Sequence, residues 1–181
     1  MPRRTRALIR VLADNIHRRV KSGCEVGVWQ GVNAAGLLKR FRWMSMYLVD
    51  PYTPSDTSVG RQTLTQDAVV EAYSGMLQRT EFALQRRKIL IMPSLEAAQL
   101  VPDNSLNFCF IDGLHDYNSV VEDLDAWYPK VRRHGVICGD DYGNQANRLG
   151  IFGVDRATQE HADKYKLTLN TSRPIWWMVK K

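Results

Sequence analysis

Apolar residues follow two rhythms along this chain, one helical and one strand-like, and the two alternate. Leu8, Leu12, Ile16 and Val20 stand four apart with arginines between them, which predicts an amphipathic helix over 5–20. Short apolar runs follow at 23–28, 46–50, 88–92, 106–111 and 135–139. The run Leu106-Asn107-Phe108-Cys109-Phe110-Ile111 is nearly all apolar, as a strand covered on both faces should be. Between the runs the helical period returns, over 31–41, 67–86, 95–100 and 153–163. A further helix opens at Ser119-Val120-Val121-Glu122, a capping-box pattern, and carries Val120, Val121, Leu124, Trp127 and Tyr128 on one stripe. The segments 165–169 and 175–179, joined through Thr171-Ser172-Arg173-Pro174, read as a hairpin. Strands alternating with helices predict an α/β fold, a doubly wound, mostly parallel sheet with helices on both faces and an antiparallel C-terminal hairpin.

Composition narrows the class. A chain of 181 residues suits one domain, 1–181, whose first 21 residues form a basic amphipathic helix. An apolar fraction of 44% and a charged fraction of 24% are those of a soluble globular protein. No apolar run approaches the roughly 20 residues that span a bilayer, and the basic N-terminus lacks the apolar core of a secretory signal. Cys24, Cys109 and Cys138 are odd in number and form no C-x-x-C pair, so buried reduced thiols in a cytoplasmic protein are expected. The net charge of +6 owes much to Arg3, Arg4, Arg6, Arg10, Arg18, Arg19 and Lys21. Such a cluster suits a phosphate-bearing partner, although a solvated helix face is the commoner outcome and no nucleic-acid-binding motif accompanies it.

The chemistry concentrates at the ends of the expected strands, where ligands of open α/β sheets sit. Glu25-Val26-Gly27-Val28-Trp29-Gln30-Gly31 places a glycine turn and a helix N-terminus after the first strand, and Asp50 ends the second. A dinucleotide turn would need G-x-G-x-x-G, and Trp29 stands where its second glycine belongs. Later strand ends bring Ser94, then Asp112 to His115, then Asp140-Asp141-Tyr142. Acids gathered on one rim repel one another and are costly to desolvate, which favours a site over a purely structural role. The polar stretch 53–66, just beyond the second strand, is equally readable as a flap over that site or as a surface loop.

The acid followed by G-x-x-x-G resembles motif I of the class I S-adenosylmethionine-dependent methyltransferases. The blocks Ile111-Asp112-Gly113-Leu114-His115-Asp116-Tyr117, Asp123-Leu124, Gly135-Val136-Ile137 and Asp140-Asp141-Tyr142 resemble the I-D-G-x-H-x-Y…D-L…G-x-I…D-D-Y pattern of a small-domain subgroup. That subgroup includes relatives of cephalosporin-hydroxylase-type proteins and sugar O-methyltransferases. The resemblance runs from about residue 20 to the end and implies a seven-stranded Rossmann-like sheet with its last strand inserted antiparallel. It further implies that Glu25, Gly27 and Gly31 surround the methionine part of the cofactor, Asp50 its ribose hydroxyls and Ser94 its adenine, with Asp112 also in contact. In metal-dependent relatives the positions of Asp112, Asp140 and Asp141 hold a divalent cation, here Mg²⁺. The alternative leaves Asp112 to the cofactor and the Asp140-Asp141 pair to capping. Two departures stand out: Met92-Pro93-Ser94 where many relatives have an acid, and Arg133-His134-Gly135 where Pro-Gly-Gly is usual.

These residues together imply methyl transfer to a small molecule at oxygen, with His115 as general base and Asp112 beside it. The rival readings are a cofactor- or nucleotide-binding module without turnover and an RNA-directed methyltransferase using the basic helix. A nucleotide-dependent oxidoreductase is disfavoured by the missing G-x-G. So short a chain has little material for a specificity domain, so the acceptor pocket would borrow from 53–66, the N-terminal helix or a neighbouring subunit.

Overall fold

The computed structural model describes residues 1–16, 19–54, 64–144 and 152–181. The elements run α1 (Arg3–Asn15), β1 (Ser22–Val26), α2 (Val32–Arg40), β2 (Ser45–Val49), α3 (Gln66–Arg79), a 3-10 segment (Glu81–Arg86) and β3 (Arg87–Leu90). They continue with α4 (Ser94–Gln99), β4 (Leu106–Ile111), α5 (Tyr117–Trp127), β5 (Val131–Gly139), α6 (Val154–Tyr165), β6 (Asn170–Ser172) and β7 (Ile175–Val179). The strands form a seven-stranded sheet in the order β3-β2-β1-β4-β5-β7-β6. Pairing is parallel from β3 to β5 and antiparallel where β7 enters between β5 and β6. The fold is the Rossmann-like methyltransferase arrangement expected from the sequence.

Period-two alternation divides the core between the two faces of the sheet. Phe108 and Phe110 of β4 turn toward Leu8 and Leu12 of α1, Leu37 and Leu38 of α2, and Met76 of α3. Cys109 and Ile111 turn the other way, toward Ala97 and Ala98 of α4, Leu124 and Trp127 of α5, and Ala157 of α6. Every residue of β4 is buried, which explains why Asn107, whose Oδ1 accepts the Lys21 and Ser22 N–H groups, is its one polar residue. The three cysteines are buried and unpaired. No helix among the described residues is long and apolar enough to cross a membrane.

Several elements differ from expectation for local reasons. The helix expected at Ser119 begins at Tyr117, because the Asp116 side chain accepts the Ser119 N–H at 3.0 Å and caps it first. The helix expected over 67–86 breaks at Thr80, whose hydroxyl donates to the Met76 carbonyl at 2.7 Å, and a 3-10 segment follows. The first hairpin arm, expected at 165–169, is displaced to β6 and takes in Thr171 and Ser172 of the expected turn, because α6 runs on to Tyr165 and closes at Lys166 in the left-handed region, φ 52°. The N-terminal helix ends at Asn15, yet Ile16 and Val20 remain buried beyond it. Most of the expected 53–66 flap lies outside the described residues.

Candidate functional site

The sheet order sets the place of the site. From β1 the chain builds outward through β2 and β3 on one side and β4 and β5 on the other, so a crevice opens at the carboxyl ends of β1 and β4. Gly27 stands at the lip of that crevice with φ 83°, and a Cβ there would lie 2.1 Å from the Asp112 carbonyl oxygen. Only glycine fits. Its N–H donates to the Val49 carbonyl at 2.8 Å, while the Asp112 N–H donates to the Val26 carbonyl at 2.8 Å, lacing the first turn to both neighbours. Gly31, φ 71°, then caps α2.

Asp50, just past β2, braces the same turn from the other side. Its carboxylate accepts the Trp29 N–H at 2.8 Å and the Tyr52 N–H at 2.9 Å, and the Tyr52 hydroxyl donates to the Trp29 carbonyl at 2.6 Å. Burial holds the Asp50 carboxyl above its ordinary range, with these N–H donors pulling the other way. Beside it, a cavity of about 230 Å³ opens among Gly27, Val49, Pro51, Ser94, Gly113 and Asp123. The Ser94 hydroxyl donates to the Asp123 carboxylate and accepts the Trp127 indole N–H at 2.8 Å. Burial pushes Asp123 up to about 6, against the lowering effect of Ser94.

At the other end of the crevice the acids gather. Glu25, at the tip of β1, is 1% exposed, and its Oε2 is buried with no hydrogen-bond partner among the described residues. Desolvation, and then the Asp112 charge, hold its carboxyl well above the usual range, although Arg4, Asn33 and the Ala34 N–H oppose them. Arg4 reaches in from α1 and places one guanidinium nitrogen 3.1 Å from Asp112 and 2.5 Å from Asp140. A second grouping lies beside it. His115 Nε2 sits 2.9 Å from Asp141, whose other oxygen accepts from Asn144 at 2.8 Å. The His115 hydrogen bond holds the Asp141 carboxyl below its ordinary range. The Phe152 ring stacks on His115 at 5.3 Å, and the Gly153 N–H donates to the His115 carbonyl at 2.8 Å, so the start of α6 fixes this loop.

The residues singled out from the sequence therefore divide into three groups. Glu25, Gly27 and Asp112 meet at the tips of β1 and β4; Gly31 and Asp50 border the same turn; Ser94 lies across the cavity. Asp112, His115 and Asp141 each offer a ligand atom within 4.8 Å of the others. Asp140, although adjacent to Asp141, turns instead to Arg4. Asp141 has φ 63°, and this left-handed residue sends successive carboxylates to different sides. Sequence reasoning missed Arg4, whose helix precedes every motif of the site, and Asn33, which lies just past the glycine turn in the first turn of α2. It quoted Asp123 within a motif without assigning it a role.

Comparisons with known proteins agree with this geometry. Residues 24–142 match a family described as a methyltransferase domain. No curated protein matches the chain. Among solved structures, a Staphylococcus aureus protein assigned as a caffeoyl-CoA O-methyltransferase superposes with a TM-score of 0.72 at 16% identity, covering 100% of this chain and 85% of that one. The N-methyltransferase NodS from Bradyrhizobium japonicum WM9 gives 0.67 at 14% identity, covering 98% and 94%. Cofactor-bound Rv0187 from MTB gives 0.69 at 14%, covering 99% and 80%. These likenesses show the fold, and the family match spans the turn, the cavity and the acids. The chain belongs to the methyltransferase-domain family and is an S-adenosylmethionine-dependent methyltransferase.

Proposed function

We propose that the chain methylates a hydroxyl of a small molecule and that the crevice between β1 and β4 holds S-adenosylmethionine. The cavity beside Gly27 carries this reading. It suits the adenine, with Asp50 at its edge for the ribose hydroxyls and the buried, unpartnered Oε2 of Glu25 toward the ammonium of the methionine part. Gly27 and Gly31 supply the close approach, Asp112 borders the methionine end, and Ser94 with Asp123 lines the adenine end.

When bound, the cofactor supplies its methyl group: the acceptor oxygen bonds to that carbon as the carbon–sulfur bond breaks, and the electron pair goes to sulfur. The protein's part is alignment and proton removal. His115 donates its Nε2 proton to Asp141, which leaves Nδ1 as the basic nitrogen to take the hydroxyl proton. The resulting imidazolium is stabilised by the Asp141 carboxylate. Arg4 pairs with both Asp112 and Asp140 and offsets one of their two charges.

His115→Gln should lower the rate of S-adenosylhomocysteine formation by about 10² to 10⁴ while leaving its binding unchanged. Metabolite extract serves as the acceptor source, with product read by mass spectrometry. A full rate in this variant would remove His115 from the mechanism.

The convergence of Asp112, His115 and Asp141 favours a second reading, in which a divalent cation sits among them and itself acidifies the hydroxyl. One nitrogen and two carboxylates fit Mn²⁺ as well as Mg²⁺. Loss of activity in EDTA, restored by either ion, is the expected sign; full activity after exhaustive chelation would leave His115 as the base.

A further inference from the structure

A groove of about 600 Å³ lies between α1 and the turn joining β6 to β7. Arg3, Arg4, Arg6, Arg10 and Arg173 line it, and among the described residues no carboxylate does. Arg3, Arg6 and Arg10 recur at helical spacing, so they share one side of α1. Arg4 alone of these five makes an ion pair among the described residues. The helix adds its own positive end: the first turn contains no acid, and Pro2 provides no side-chain cap. Like charges gathered this closely repel one another, and the buried face of α1, made of Thr5, Leu8, Val11 and Leu12, does not call for Arg3, Arg6 or Arg10.

The groove is joined to the reacting groups at two points. Arg4 lines it while contacting Asp112 and Asp140. Arg173 packs over Gly143, two residues beyond Asp141, so closely that a Cβ on Gly143 would lie 2.4 Å from its Nε. The wall itself is fixed to the site, because the Tyr142 N–H donates to the Pro174 carbonyl at 2.9 Å and the Trp176 indole N–H donates to the Asp140 carbonyl at 3.1 Å.

Resting on the methyl-transfer reading above, we propose that this groove binds a phosphate or diphosphate group of the acceptor and thereby sets its hydroxyl before His115. Guanidinium forks match phosphate oxygens two at a time, and several of them exceed what a single carboxylate needs. A nucleic-acid strand is the weaker match. The groove is short and ends at the β6–β7 turn, and none of its lining residues is aromatic to stack on a base.

The test is calorimetric titration with inorganic pyrophosphate, with and without saturating S-adenosylhomocysteine. The parent protein is compared with a variant carrying Arg6→Ala and Arg173→Ala, both exposed positions away from the cofactor cavity. Pyrophosphate should bind the parent, weaken steeply with added salt, and bind the double variant at least about tenfold less tightly. S-adenosylhomocysteine should bind both proteins alike. Equal pyrophosphate affinity in parent and variant would overturn the proposal. So would citrate binding as tightly as pyrophosphate, or a single-stranded oligoribonucleotide binding more tightly through the same arginines. Failure of S-adenosylhomocysteine to bind would strike the cofactor reading instead, and the arginine dependence of pyrophosphate would still be read in the unloaded protein.

Discussion

Asp123 shows how one side chain records the demands of the site. It is buried beside the cavity, accepts from Ser94, and has its carboxyl pushed up to about 6. A raised acid stabilises the fold only while it is protonated. That contribution is complete below about pH 4, where the unfolded chain is also protonated, and is lost as pH rises through about 6. The shift of about two units corresponds to roughly 3 kcal/mol of lost stability above pH 6. Asn keeps the carbonyl that Ser94 needs and cannot ionise. Asp123→Asn, studied without cofactor, should therefore match the parent near pH 4 and melt higher at pH 8. Parallel melting curves at all pH values would show that the carboxylate is not desolvated as described. Perturbed acids concentrate at functional sites, and its place opposite Gly113 explains why this helix residue carries one. From sequence it stands only in the Asp123-Leu124 block with no role, because the spacing to Ser94 has meaning only after α4 and α5 pack together.

At the scale of elements, the strand-to-turn junctions were the most legible part of the chain. Strands buried on both faces leave unbroken apolar runs, so β4 appears at its true position, whereas β5 starts at Val131, four residues before its apolar run, and the edge strand β3 is half polar; the sheet order then brings their ends to one rim. The positions of Glu25, Asp50, Asp112, His115 and Asp141 on that rim follow from the strand ends, whereas the roles expected of them rest largely on the resemblance. Helix ends were less so, since Asp116 outcompetes Ser119 as a cap and Thr80 interrupts a periodic stretch without changing its hydrophobic pattern. The junction after β1 also gives a graded test. Ala at position 27 would need a left-handed φ and would push its Cβ into the backbone of Asp112, whereas at position 31 the nearest atom is the Met76 Cγ at 2.8 Å. The overlap at 31 is the milder one, with the Met76 Cα next at 3.0 Å, whereas at 27 three backbone atoms lie within 2.8 Å. Gly31→Ala should thus cost about 1–2 kcal/mol for the left-handed residue alone. Gly27→Ala should cost more and weaken S-adenosylhomocysteine binding at least about tenfold, because the clash lies in the crevice. Chemical denaturation and calorimetry on both variants check the order; a reversed order would mean that the first turn is softer than its hydrogen bonds indicate.

Across the whole molecule, α1 does more than cover the sheet. It packs its Leu8 and Leu12 against β4 and α2, and from its first turn sends Arg4 between acids carried by β4 and β5. The longest-range contact of the site, between residues 4 and 140, thus ties the first helix to the fifth strand, and no local pattern could reveal it. Glu25, Asp112 and Asp140 lie together, and Arg4 sets a cation among them. Arg4→Met keeps the apolar stem and removes the charge, leaving three carboxyl groups to repel one another. The Arg4 side chain is 40% exposed, so the loss should fall between the 0–1 kcal/mol of a surface pair and the 3–5 kcal/mol of a buried one, about 2 kcal/mol at pH 7.5. Protonation relieves the repulsion, so the deficit should shrink as pH falls toward 5, with Glu25, already raised by burial and Asp112, taking its proton first. A cation that entered the crevice would oppose the same repulsion. S-adenosylhomocysteine, through its ammonium, should then raise the melting temperature of Arg4→Met by more than it raises that of the parent. Melting scans at pH 5 and 7.5, with and without it, measure both effects; a deficit independent of pH and ligand would mean that Arg4 serves only to hold α1 in place.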